Sequence, residues 1–275
     1  MVRAKCLCMM VFSLLTNDVA FGDAYLEYKS FPSGRISFYL TSRYVRMDTE
    51  EHGVSPFTVI YDKNERTIFI LYHEKKSYAE VNEKLLKDLR RMREKMEAQL
   101  SNLPPPMREI GKQMMMPGCR KIEKIPSELC EGPNIIGTEM FQGFTAKVVD
   151  GCKNFDVEKN SFVACRYWFV DGEKLNLNSE DFKTLSAFLE FEWEVVKAMG
   201  SFCGMEPISM LLATSEKTLV LGYDLPIPVK ALSVSDGKEE TKMILDKVVT
   251  KGLSQEAFRL PKDYKKMEIG VSGLR

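Results

Sequence analysis

The chain has 275 residues, 44 % of them hydrophobic and 28 % charged, with 39 basic side chains against 39 acidic ones. This is the composition of an ordinary globular protein, not of a disordered one. The even charge balance gives no reason to expect nucleic acid or a strongly charged surface as a partner.

The first residues combine a short cationic start at Arg3 and Lys5, an apolar run from Cys6 to Leu15, and a polar end with small residues at Ala20 and Gly22. That pattern predicts a signal peptide over residues 1–22, cut after Gly22 ahead of Asp23. The apolar run is short of the roughly 20 residues that cross a bilayer; the alternative is a buried first strand or helix. Cys6 and Cys8 lie too early to carry a lipid at the cut. The expected mature chain, 23–275, is a single domain with 37 basic and 38 acidic residues, released into the periplasm or secreted. Its five cysteines are Cys119, Cys130, Cys152, Cys165 and Cys203. In an oxidising compartment disulfides are the default reading of such residues. No C-x-x-C pair occurs and only His52 and His73 are present, so neither a metal centre nor a cofactor is expected.

In chain order, residues 24–48 read as strands, with alternation over 36–40 after a Pro32-Ser33-Gly34 turn. Residues 58–61 and 67–72 flank a turn at Asp62-Lys63-Asn64-Glu65, and 77–81 adds a further strand, completing an antiparallel meander. The period then changes. Asn82 caps a helix in which Leu85, Leu89, Met92, Met96 and Leu100 recur at helical spacing. Pro104, Pro105 and Pro106 end it. A second short helix is expected over 107–116, so 83–117 reads as a helical insertion between two β halves.

Strands resume at Ile135. Residues 143–149 and 152–157 are separated by Asp150-Gly151, which predicts a tight hairpin turn. A strand over 161–170 follows. Asn178 or Ser179 caps a helix over 179–199 with Glu180 and Asp181 in its first turn, where the helix dipole favours anions. Its stripe is read as Phe182, Leu185, Leu189, Val196 and Met199. The remainder is β: 218–223, an extended stretch forced by Pro226 and Pro228, then 229–234 and 239–249 around Ser235-Asp236-Gly237.

No catalytic motif is present, and an enzyme is not expected. Glu190, Glu192 and Glu194 read as a solvated acidic helix face, and His73 as a surface residue at a strand end. A hairpin turning near Glu158–Ser161 sets Cys152 and Cys165 nearly opposite each other. A bridge there would add roughly 3 kcal/mol of stability in the chain-entropy model. Cys119 and Cys130 are a second candidate pair, closing the insertion onto the sheet. The methionines Met92, Met96, Met107, Met114, Met115 and Met116 suit a surface that accepts variable apolar partners, or simply pack the insertion.

Three stretches together resemble a family. Arg43-Tyr44-Val45-Arg46-Met47-Asp48 is similar to the K-x-x-R-x-D strand of the LolA/LolB periplasmic lipoprotein-carrier superfamily. Residues 60–78, with Lys75-Lys76-Ser77-Tyr78 at their end, resemble the next hairpin. Phe258-Arg259-Leu260-Pro261-Lys262-Asp263-Tyr264 resembles the closing F-x-L-P-x-x-Y segment. The resemblance spans most of 24–266 and implies an α+β fold, a curved, half-open antiparallel β-barrel with covering helices. It further implies a carrier that holds an apolar or lipid-like ligand, or an acylated partner, touching membranes only transiently. The insertion and the five mature cysteines depart from the sorting chaperone. Within this picture Leu85, Leu89, Met92, Met96, Phe182, Leu185 and Leu189 are the apolar lid and ligand-binding candidates. The rival expectation is an envelope interaction module that docks through the Met-rich insertion.

Overall fold

The computed structural model describes residues 23–51, 55–104, 107, 130–156, 161–199, 223, 225–235, 238–250 and 252–267. The first meander forms as the alternation predicts: β1 (Ala24–Ser30), β2 (Gly34–Leu40), β3 (Tyr44–Glu51), β4 (Phe57–Asp62), β5 (Thr67–Tyr72) and β6 (Ser77–Val81). The β4–β5 turn is held by Asp62. Its carboxylate takes a forked pair from Arg43, at 3.1 and 2.7 Å, and the backbone amide of Asn64 at 2.9 Å. Burial works to raise the Asp62 pKa, but these donors outweigh it and hold the group below its ordinary value.

Helix α1 (Glu83–Ser101) follows, with the Asn82 side chain accepting from the Leu85 amide at 3.0 Å as a cap. Then come β7 (Cys130–Phe141), β8 (Phe144–Asp156), β9 (Ser161–Asp171), a 3-10 turn at Gly172–Leu175 and helix α2 (Ser179–Met199). Asn178 caps α2, accepting from the Glu180 amide at 2.8 Å. The chain closes with β10 (Pro226–Ser235), β11 (Lys238–Thr250), a 3-10 turn at Gln255–Phe258 and β12 (Lys265–Lys266). The strand expected over 218–223 and the helix over 107–116 fall almost wholly outside the described residues.

The twelve strands among the described residues belong to one open sheet, ordered β12-β6-β5-β4-β3-β2-β1-β11-β10-β9-β8-β7. Every pairing is antiparallel except the short β12–β6 contact, so the fold is α+β with a large open sheet. Two meanders, β1–β6 and β7–β11, are joined where β1 pairs with β11, Ala24 opposite Thr250.

One expected turn is corrected. Asp150-Gly151 does not end a strand: β8 runs through it, and the β8–β9 ladder absorbs it as an irregularity between Val149 and Cys152. A glycine inside a strand commonly marks such a bulge. The hairpin lies earlier, at Gln142-Gly143, where both residues have positive φ, 48° and 88°. That geometry is the two-residue turn whose twist matches the flanking strands. Likewise Pro228, which cannot donate to a ladder, sits where the β9–β10 register slips between Pro228 and Lys230.

Candidate binding face

Strand alternation sorts the sheet into two faces. On one, Leu26 and Tyr28 of β1, Phe38 and Leu40 of β2, Val45 and Met47 of β3, and Val59 and Tyr61 of β4 join a single apolar core. This core continues through Val148, Tyr167, Phe169, Val229, Ala231, Met243 and Leu245 in the second meander. Helix α2 lies over β2 and β3 on this face, and α1 packs on α2.

The seven lid candidates are not equivalent. Leu185 and Leu189 are buried against the sheet, and Phe182 is half-buried beside them. Leu85, Leu89 and Met92 of α1 are half-buried; Met96 lies in the helix, its side chain outside the described ones. The expected α2 stripe missed its largest members. Phe188 and Phe191 are fully buried, their rings 5.6 and 5.9 Å from the ring of Tyr61. Val195 and Ala198 complete the buried side. A stripe through 184, 188, 191, 195 and 198 at helical spacing holds them, one position off the stripe that was read.

Glu192 is the correction to the solvated acidic face. Glu190 is exposed, and Glu194 pairs with Arg66 at 3.1 Å and with Arg90 at 3.6 Å, tying α2 to the β4–β5 turn and to α1. Glu192 instead turns inward: its Oε2 is sealed from solvent and meets no donor among the described residues. Burial alone pushes its carboxyl up to about 8, so near neutrality it is largely protonated.

The opposite face is built differently. A small cluster of Ile60, Leu71 and Phe258 is bordered by Tyr44, Phe69, Tyr78, Leu260 and Tyr264. Phe258 stacks on Tyr44 with ring centroids 5.3 Å apart. Beside it runs a polar chain. Arg46 donates to Asp48 at 2.9 Å and to the carbonyl of Ala257 at 2.6 Å. Thr58 Oγ1 donates to Asp48 at 2.6 Å, so it must accept from His73 Nε2 at 2.8 Å, and His73 Nδ1 is hydrogen-bonded to the Tyr264 hydroxyl at 2.7 Å. His73 is therefore a link in this chain, contrary to the surface expectation. The Thr58 hydroxyl is no free nucleophile: the residue is 2 % exposed and its proton is committed to Asp48. The chain orients and fastens the segment 257–264 on the sheet. All three family-like stretches meet here, through Arg43, Arg46, His73, Phe258 and Tyr264.

Of the disulfide candidates, Cys152 stands directly opposite Cys165 in the β8–β9 ladder, and Cys165 is buried. Cys130 stands opposite Cys152 in the β7–β8 ladder. Cys119 and Cys203 lie outside the described residues. Among the described residues no cluster of His, Cys, Asp or Glu is arranged to hold a metal ion. No helix among them is long and apolar enough to cross a membrane.

No family model and no curated protein matches the chain. Among solved structures it is similar to the crystal structure of an uncharacterized conserved protein from Thermus thermophilus. The TM-score is 0.43 at 7 % identity, over 94 % of this chain and 98 % of that one. A likeness of that size carries no argument about function.

Proposed function

We propose that the chain is an exported carrier, related to the LolA/LolB superfamily, whose sheet curves into a half-open barrel holding an acyl chain or similar apolar ligand without catalysis. The supporting observation is the layering of the helices. The apolar face is continuous across both meanders, yet α1 reaches it mainly through α2, and Leu85, Leu89 and Met92 are only half-buried there. Leu86, fully buried in that core, is the main contact α1 would give up on swinging away, and an acyl chain taking its place gains about 0.8 kcal/mol per buried CH₂.

Native mass spectrometry of the purified mature protein, followed by organic extraction, tests this. The expected result is a co-purifying species bearing an acyl chain, released when Leu85, Leu89 and Met92 are changed to Ser. A protein that is ligand-free and gains no mass from added fatty acid sinks the proposal. Dependence of a partner's capture on 83–117, with no lipid bound, would favour the docking alternative.

We further propose a Cys152–Cys165 bridge, since directly opposed residues place their Cβ atoms about 4.5–5.5 Å apart, within small adjustment of disulfide geometry. Cys130 competes for the same partner. Peptide mapping without reductant should recover the 152–165 link; recovery of Cys152 as a free thiol from oxidised protein overturns it.

A further inference from the structure

Asp181 has no part in the carrier reading, and its surroundings are incomplete. It is the third residue of α2, 1 % exposed, and its Oδ2 meets no hydrogen-bond donor among the described residues. A buried carboxyl left in this state is costly, and such groups normally find a partner. Its neighbours are spent elsewhere: the Glu180 amide goes to Asn178. Thr184, one turn further on the same side of the helix, gives its hydroxyl to the Ser42 carbonyl at 2.7 Å. This side of α2 is thereby pressed on the β2–β3 turn.

The start of β1 reaches the same corner. Ala24 pairs with Leu40, so Asp23 lies beside Thr41 at the head of that turn. Asp23 is held in place, its carboxylate accepting from the Leu253 amide at 2.5 Å, and Ala24 behind it is buried. Burial pushes the Asp181 carboxyl up to about 7, and the negative charges of Asp23 and Glu180 add to the push. Lys183 is taken by Glu180 at 2.6 Å, and among the described residues no cation pairs with Asp181 itself.

We propose that Asp181 is the receptor for the α-ammonium group created on Asp23 when the chain is cut after Gly22. Water adds across the Gly22–Asp23 peptide bond: the carboxylate leaves with Gly22, and the amine stays on Asp23 and takes up a proton. The new cation stands on the residue already docked at this corner, and it supplies both the charge and the N–H donors that Oδ2 is missing. The precursor keeps an orphaned carboxyl and folds less stably; the processed chain gains the pair. Removal of the leader thus becomes the last step of folding. The inference rests on the proposed cut after Gly22.

The test compares a protein starting at Asp23 with a free amine, released by a protease that leaves no extra residue, with one retaining Gly22. Each is also made as Asp181→Asn. The Asp23 start should melt about 3 °C above the extended chain. Asp181→Asn should abolish that difference, because an amide needs no ammonium. By ¹³C NMR the Asp181 carboxyl should titrate in the ordinary carboxylate range in the Asp23 start and stay raised in the extended chain. Equal melting of the two starts with Asp181 intact, or a difference that survives Asp181→Asn, overturns the pairing. N-terminal sequencing of the exported protein is the separate check on the cut: a first residue other than Asp23 overturns the receptor role and leaves the ion pair of the defined starts as an accident of sequence.

Discussion

The two faces of strands β3 to β5 are made from the same residues in alternation, yet they are stabilised by different means. The helix-covered face is held by volume: Tyr61, Phe188, Phe191 and their neighbours fill a core continuous across the sheet. The other face is held by direction. A few apolar contacts around Phe258 are fastened by a hydrogen-bonded chain, Tyr264–His73–Thr58–Asp48, with Arg46 donating into Asp48 from the other side. Packing is insensitive to which way a group points but intolerant of a missing one. A hydrogen-bonded chain is the reverse: each member contributes little and must be oriented.

Truncation should separate the two. Phe188→Ala, which removes a fully buried ring beneath α2, should cost about 3–5 kcal/mol. Chemical denaturation should report this as a loss of global stability, with α2 no longer protected from amide exchange. Phe258→Ala should cost less, about 2 kcal/mol, because its cluster is small and its partner Tyr44 is part-exposed. Its readout is local. Exchange of the Lys265 and Met267 amides, which donate to the carbonyls of Lys76 and Tyr78, should accelerate while α2 stays protected. Equal global losses from the two changes would mean that the outer cluster belongs to the main core.

Glu192 blurs the contrast, since it is a polar group on the face held by packing. Its folded-state pKa, about 8, stands above the ordinary value of 4.5, so folding favours the protonated form. The stability it permits is fully present below pH 4.5 and is lost as pH rises through about 8. Glu192→Gln should therefore be nearly neutral at about pH 4 and stabilising at about pH 9, by on the order of 1 kcal/mol. Melting curves at the two pH values decide it; an equal effect at both would show that the carboxyl is not the cause.

The first meander was legible residue by residue because its ladders β2–β3, β3–β4, β4–β5 and β5–β6 run without a register shift. Period-2 alternation then maps directly onto faces. The second meander was read less well because the β7–β8, β8–β9, β9–β10 and β10–β11 ladders each contain an irregularity. A bulge reverses the parity of every residue beyond it, and the Asp-Gly pair that forms one at 150–151 is also a tight-turn signal, so it looked like a turn. The bounds of α2 matched its cap and length, but its buried side was misjudged because apolar residues recur on two neighbouring stripes, 182-185-189 and 188-191-195, and only packing on the sheet chooses the centre.

Local chemistry alone determined the strands of the first half, both described helices with their Asn caps, and the near-opposition of Cys152 and Cys165. These depend on neighbours within a few residues or across one hairpin. What the tertiary structure decided is which distant groups share a site: His73 with Tyr264, Arg46 with Ala257, Arg66 with Glu194, and Asp181 with the head of β1. These partners lie far apart along the chain, and only the closing of one sheet through the β1–β11 pair brings most of them together. The burial that gives Glu192 and Asp181 their raised pKa values arises in the same way, from surfaces that meet only after folding.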